Sequence, residues 1–530
     1  MFKTLYSLAG QWLPAVLFGL LLIVGLCHVR DYGTYIDEFT NHHFGIMWYD
    51  YARHVFTGGS FALPANVTEH DVVHGPFIEM LFAFIEDKIV HLPDLRHIVF
   101  LRHYGTWIVF YLGAVCFYLL AQKLFASRKL ALLAAAFLVL HPRIFSHAFY
   151  DSIDIPLLSF YILALYTWVR YLEKRTPGAL CVHAVACGLL VDIRLIGGVI
   201  PAITGTLLLL ELLSAKTSDR RWSRIPLYLG TLAITILAFW PFLWSNPPLR
   251  ALEVLRQTPR VAWDGLVLYM GQYISATKLP WHYIPVWIAI TTPIACTVFF
   301  LVGLPAGIVA FFKNPARFYR ERPGELAVMA AFLLPLLAVI LLRPVVFDSW
   351  RHMFFIYPAF VLVAVAGVKK VVTEIDARFG GRARFALHGA IAAFIAVNLA
   401  STVWFMIGSH PYQNVYFNRL AGRDMKQVKS RFDLDYWGLS YLHALEYLVR
   451  KNPAGPLRIY DPVKSLPLVN MWMLTPADRD RIEIVDFNEA DFVLTNFRIL
   501  KEGYPALSEY FTIKVEGEPI VCIYTRRPFP

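Results

Sequence analysis

Eleven apolar runs recur along the first 408 residues, near 12–29, 98–122, 130–147, 155–172, 178–193, 197–213, 226–244, 284–311, 326–342, 353–368 and 385–408. Each is close to the length, about 17–25 residues, that a helix needs to cross the hydrocarbon core of a bilayer. Peptide groups in that core have no water to bond to. A segment there must satisfy its own backbone, which makes such a chain a bundle of helices. The runs 130–147, 178–193 and 353–368 meet the length requirement with the least margin.

Composition agrees. The 530 residues are 57% apolar and 16% charged, against about 25% charged in soluble domains. The net charge of +11 would suit nucleic acid if it were gathered on one soluble face, but it is spread over alternate loops. With Lys3 inside, the even gaps between runs face inward. They contain "SRK" (127–129), "EKR" (173–175), "SAKTSDRRWSR" (214–224), "KNPARFYRER" (313–322) and "KKVVTEIDARFGGRAR" (369–384). The short outer gaps contain few Lys or Arg. This is the positive-inside pattern, which accounts for the charge without nucleic acid. Five of the six cysteines fall within apolar runs, so no disulfide framework is expected. The first run lacks a small-residue cleavage site and reads as a span rather than a cleaved signal.

An odd number of spans places the C-terminal segment outside. The expected organisation is a transmembrane domain over 1–408, with a long first outer loop at 30–97, and a small α/β domain over 409–530. That last segment mixes strand-like runs, "LRIYD" (457–461), "IEIVDF" (482–487), "DFVLTNF" (491–497) and "FTIKVEGEPIVCIY" (511–524), with the helix-like "LSYLHALEYLVRK" (439–451).

Ionisable groups at a membrane boundary are costly and therefore informative. Here they collect at the outer ends of the spans. "YIDEFTNHHF" (35–44) follows the first run, and "EHDVVHGPFIEML" (69–81) lies in the same loop. Arg102 opens the second run, and "HPRIFSHAFYDSIDIP" (141–156) links the third and fourth. Arg194 ends the fifth, "PWHY" (280–283) precedes the eighth, and "FDSWRHMFFIYP" (347–358) joins the ninth and tenth. Taken singly, each has a plain structural reading. Arg102 could be an interfacial anchor, Asp151 a helix N-cap, Asp154 the start of a helix, and Asp37–Glu38 a solvated turn. His42 and His43 are poor zinc ligands, because adjacent side chains point to different faces.

The ordered set resembles the GT-C fold glycosyltransferases, the branch of protein O-mannosyltransferases and lipid A aminoarabinose transferases. Asp37-Glu38 soon after the first span resembles that superfamily's acidic pair. "HGPF" (74–77) resembles its "HPPL" stretch, with Gly75 in place of the first proline. Within "YDSIDIP" Asp154 matches the second family acid better than Asp151 does. "FDSWRH" (347–352) and "LDYWG" (434–438) resemble a bacterial branch with a C-terminal outer domain.

The resemblance implies transfer of a sugar, with inversion, from a polyprenyl-phosphate donor to an acceptor hydroxyl at the periplasmic face of a bacterial inner membrane. The acceptor could be a lipid, a glycan or a protein. By the same resemblance Asp37 is the base, Asp154 its supporting acid and Glu38 a third candidate. The donor phosphate falls to Arg194 first, then Arg102 and Arg351, with His74 and His352 as hydrogen-bond donors. Trp281 and Tyr283 are candidates to stack on sugar. A divalent cation among Asp37, Glu38 and Asp154 is the less favoured arrangement, since arginines can neutralise phosphate. Two other classes compete. A transporter or flippase of an anionic lipid or sugar should show inverted repeats and midspan charge, and neither is evident. A receptor or assembly protein would not need so many spans.

Overall fold

The computed structural model describes residues 2–65, 67–90, 94–214, 222–258 and 263–526. Most of the basic loop expected at 214–224 lies outside them. Among the described residues eight helices are long and apolar enough to cross a membrane: Trp12–Asp31, Leu95–Phe125, Asp154–Lys174, Leu195–Leu213, Ile294–Lys313, Pro323–Leu342, Arg351–Arg378 and Gly381–Gly408. Two shorter apolar helices, Pro177–Val191 and Arg224–Phe239, join them. The protein is a multi-pass membrane protein.

The apolar runs and the helices differ in instructive places. The run at 130–147 breaks into Arg128–Val139 and Pro142–His147. Pro142 cannot continue a helix with its missing N–H, and the His141 ring caps the second piece by accepting from the Ile144 N–H. The run at 284–311 breaks before Pro293, giving Tyr283–Thr291 and Ile294–Lys313. The run at 353–368, by contrast, belongs to a helix that continues to Arg378.

Helices Ile294–Lys313 and Tyr357–Arg378 cross at glycines. A Cβ on Gly303 would stand 2.1 Å from the Val363 carbonyl oxygen, and one on Gly367 would stand 2.0 Å from that of Phe299. Lipid offers no hydrophobic drive for helix association, so such close backbone contact supplies the packing.

The segment expected as a loop at 30–97 is largely helical, as Glu38–Phe56, Glu69–Val73 and Phe77–Ile85. It is held by a buried guanidinium. Arg102, on the helix Leu95–Phe125, donates to Glu38 Oε1 at 2.5 Å and to Glu79, and lies 3.9 Å from Glu86. His42 meets Glu86 at 2.7 Å, and the Ser152 hydroxyl donates to Glu79 at 2.6 Å.

Beyond residue 408 the chain forms helix Tyr441–Lys451 and a five-stranded sheet. An earlier antiparallel hairpin comprises β1 (Leu266–Tyr269) and β2 (Gln272–Ser275). The sheet contains β3 (Leu457–Tyr460), β4 (Ile482–Ile484), β5 (Phe492–Thr495), β6 (Ser508–Val515) and β7 (Glu518–Thr525), in the order β4-β3-β5-β7-β6. β3 pairs parallel with β4 and β5, and β7 runs antiparallel between β5 and β6. The run expected as one strand at 511–524 is a hairpin, turned at Glu516 and Gly517 with positive φ.

Among the described residues this segment and the bundle share core residues. Residues between Tyr412 and Leu439 share the core of the membrane helices, and Val99 and Phe100 join the core beneath the sheet. The Asn470 side-chain amide bonds both backbone groups of Thr34.

Gly367→Leu should separate the two crossing helices and cost about 1–3 kcal/mol, the usual range for overpacking, read as a lower melting temperature in detergent. Gly389→Leu should be neutral, because nothing lies within 4 Å of its Cβ position.

Candidate active site

Asp151 and Asp154 divide two tasks. Asp151 Oδ1 accepts the backbone N–H of Ile153 at 3.3 Å and of Asp154 at 2.9 Å, capping the helix that Asp154 begins. Its Oδ2 meets His147 Nδ1 at 2.9 Å, and His147 Nε2 meets the Tyr436 hydroxyl at 3.1 Å. Burial raises the Asp151 carboxyl above its ordinary range. Asp154, thus oriented and only 1% exposed, is gripped by two arginines. Arg194 Nη1 donates to Oδ1 at 2.7 Å, and Arg351 Nη1 donates to Oδ2 at 3.2 Å.

The other groups gather on these cations. Asp37 immediately precedes helix Glu38–Phe56, with its side chain 46% exposed and Oδ2 at 3.7 Å from Arg351 Nη2. His74 pairs through its backbone with Arg194. Their approach explains Gly75: a Cβ there would stand 2.2 Å from the Asp192 carbonyl oxygen, which also accepts the Phe77 N–H at 3.2 Å. His352 lies within electrostatic reach of Arg351, Arg194 and His74. Arg194 Nε, Arg351 Nε and His352 Nδ1 are buried with no hydrogen-bond partner among the described residues. Two of these atoms belong to the guanidinium groups themselves, and unpartnered guanidinium N–H groups are the kind of donor that an anion satisfies.

Asp37, Asp154, Arg194, Arg351, His74 and His352 are therefore brought together. Four expected site residues are not. Glu38 and Arg102 belong to the buried ion group of the first outer segment. Arg102 is 1% exposed and shared by three glutamates. Adjacency separates Glu38 from Asp37, since one residue along a helix turns the side chain by about 100°. Trp281 is 59% exposed and meets only His282 edge-on among the described aromatic contacts. Tyr283 is buried against Tyr269 and Trp287, with no ring face left for a sugar.

Residues near the site with no role foreseen from sequence are Asp348, Tyr436, Trp437 and Arg498. Asp348 accepts from Trp437 Nε1 at 3.1 Å and from Arg498 Nη2 at 2.8 Å, and Trp437 lies 4.5 Å beneath the Arg351 guanidinium. "FDSWRH" and "LDYWG" carried that signal jointly, whereas Arg498 carried none.

Among the described residues one donor set is compact enough to share a cation, His28, Asp31 and His410. Its hydrogen bonds favour a proton instead. The Gln413 amide donates to the Met406 carbonyl at 3.0 Å and faces His410 Nδ1 at 3.1 Å, while its oxygen accepts from Tyr32. That orientation leaves the proton of His410 on Nε2, aimed at Asp31 at 2.8 Å. The cluster closes one end of an apolar groove of about 520 Å³, walled by residues such as Leu21, Val139 and Met406.

Residues 103–244 match the family described as dolichyl-phosphate-mannose-protein mannosyltransferase. The oligosaccharyltransferase of Archaeoglobus fulgidus in its apo form superposes over 97% of this chain and 74% of its own, with a TM-score of 0.50 and 11% identity. The fold is that of the GT-C glycosyltransferases. ArnT from Cupriavidus metallidurans bound to undecaprenyl phosphate aligns over 97% of this chain and 98% of its own, with a TM-score of 0.47 and 13% identity. An uncharacterized protein of Aquifex aeolicus is 30% identical over 197 residues. The chain spans 37% of that relative's length.

The buried ion group makes a pH prediction. Burial outweighs the pull of Arg102 and pushes Glu38 from 4.5 up to about 7. Between those values the folded protein holds a proton that the unfolded chain has released, so stability falls as pH rises through this window. Melting temperatures of wild type should decline from pH 5 to pH 7.5, and Glu38→Gln should flatten the slope.

Proposed function

We propose that this protein transfers a sugar from a polyprenyl-phosphate donor to an acceptor hydroxyl, with inversion. The observation that carries the reading is the convergence of Arg194 and Arg351 on buried Asp154, beside an exposed Asp37. Transfer from such a donor needs a base for the acceptor proton and cations for the departing phosphate. The family that residues 103–244 match, described as dolichyl-phosphate-mannose-protein mannosyltransferase, supports a donor of that class.

In this reading the acceptor oxygen attacks the anomeric carbon while the bond from that carbon to the phosphate oxygen breaks. The hydroxyl proton passes to Asp37, and the bonding pair leaves with the phosphate, between Arg194 and Arg351. His74 and His352 supply further hydrogen bonds to it. Asp154 is too enclosed to take a proton from an acceptor. Its charge holds the two guanidinium groups together against their mutual repulsion. Because arginines meet the phosphate charge, the reading does not call for a divalent cation.

The basic loops put the N-terminus in the cytoplasm. The site and the segment 409–530, read as a soluble domain, then lie on the periplasmic side of a bacterial inner membrane. The acceptor is a hydroxyl of a lipid, glycan or protein.

The test follows release of radiolabelled sugar from polyprenyl-phosphate donors by purified protein. Asp37→Asn should lower kcat about a hundred-fold or more, the range for loss of a general base, with donor affinity kept. Normal turnover in Asp37→Asn would remove the base assignment. Arg194→Ala should weaken donor binding, and unchanged affinity would move the phosphate site elsewhere. Movement of the lipid across a vesicle bilayer without sugar transfer would favour the flippase reading.

A further inference from the structure

Arg351 is the cation of the site that least controls its own position. Its guanidinium lies between two rings, 5.1 Å from Phe347 and 4.5 Å from Trp437, and faces three carboxylates. Asp154 takes Nη1 at 3.2 Å, while Asp37 and Asp348 stand 3.7 and 3.9 Å from Nη2. A guanidinium offered three acids adopts the arrangement that best satisfies all of them, so whatever holds Asp348 decides where Arg351 points.

Asp348 is held from the far end of the chain. Arg498, 150 positions later and just beyond β5, donates Nη2 to Asp348 Oδ1 at 2.8 Å. Its Nη1 donates to the Tyr436 carbonyl at 2.7 Å. The indole N–H of Trp437 donates to Asp348 Oδ2 at 3.1 Å. Both carboxylate oxygens of Asp348 are thus engaged by residues after 408. The loop carrying Asp348 is bent to reach them, with Asp348 and Ser349 consecutively left-handed at φ +54° and +66°. Residues with side chains adopt that conformation only under constraint from their surroundings. Arg498 is anchored in turn. Its N–H donates to Asn496 Oδ1 at 3.2 Å, and Asn496 Nδ2 donates to the Asp435 carbonyl at 2.9 Å.

We propose that Arg498 and Trp437 are positioning residues that draw Asp348 away from Arg351, leaving its guanidinium committed to Asp154 and available to the donor phosphate. The proposal deepens the glycosyltransferase reading and rests on Arg351 being a phosphate ligand. It gives the segment after 408 a part in the reaction: it supplies the clamp, while the reacting groups come from the membrane helices. Arg498 touches neither donor nor acceptor in this scheme and acts through Asp348.

Binding of polyprenyl phosphate to the full-length protein in detergent, measured apart from turnover, tests it. Without Arg498, the Asp348 carboxylate competes for Arg351. Arg498→Leu should weaken binding and raise the donor KM about ten- to a hundred-fold, as for loss of one charge-assisted contact. The kcat at saturating donor should change much less. Arg498→Lys should recover part of the affinity. The diagnostic variant is the double Arg498→Leu, Asp348→Asn. Removing the competing charge should restore donor binding toward wild type even though a second native contact is gone, an outcome opposite to that of progressive unfolding. Unchanged donor affinity in Arg498→Leu, alongside its loss in Arg351→Ala, would overturn the positioning role and leave the functional reading standing. A double variant weaker than Arg498→Leu alone would also overturn it. A wild type that binds no polyprenyl phosphate would overturn both readings.

Discussion

Asp154 sits between two guanidinium groups, and the candidate site is arranged around that contact. Arg194 comes from the link after Pro177–Val191, and Arg351 from the turn that opens Tyr357–Arg378. A carboxylate buried here would be prohibitive without partners, and two arginines this near each other would repel without it. Each charge therefore makes the others tolerable, and three separated pieces of chain are fixed at one point. Arg351 also faces Asp37 and Asp348, and Arg498 answers Asp348, so acids and arginines interlock across the cluster.

A second buried ion group surrounds Arg102. Three glutamates share its guanidinium, and His42 meets one of them, Glu86. With acid in excess it has no call on an external anion, and its effect is structural: it pins Glu38–Phe56 and Phe77–Ile85 against the span that carries Arg102. The two groups differ in access, since Asp37 is half exposed, although they contain the same residue types.

The apolar runs made the membrane bundle legible, because hydrophobic length is a property of contiguous sequence. Its breaks were less so: Pro142 and Pro293 interrupt runs that hydropathy alone joins. The acids and arginines at the outer span ends could be named in advance, yet their partnership could not. Arg102 ranks beside Arg351 in sequence and Glu38 stays ambiguous beside Asp37, and the sequence holds no local mark of which glutamate will face which arginine. Gly75 is a case where a departure from the family pattern became intelligible only with the carbonyl of Asp192 against it. Arg498 marks the limit. Its meaning depends on Asp348, 150 residues earlier, and no periodicity or motif connects them.

The boundary between Asp37 and Glu38 has a consequence for how this chain can vary. Residues 29–36 leave the first span and are moored at successive points, by Tyr32 to Gln413, Thr34 to Asn470 and Tyr35 to Ser152. The helix that follows thus starts from a fixed phase. Inserting or deleting one residue before it would rotate every later side chain by about 100°. The exposed acid and the enclosed one would lose their places together, and both ion groups would fail at once. Substitutions can drift through this stretch, but its length is frozen.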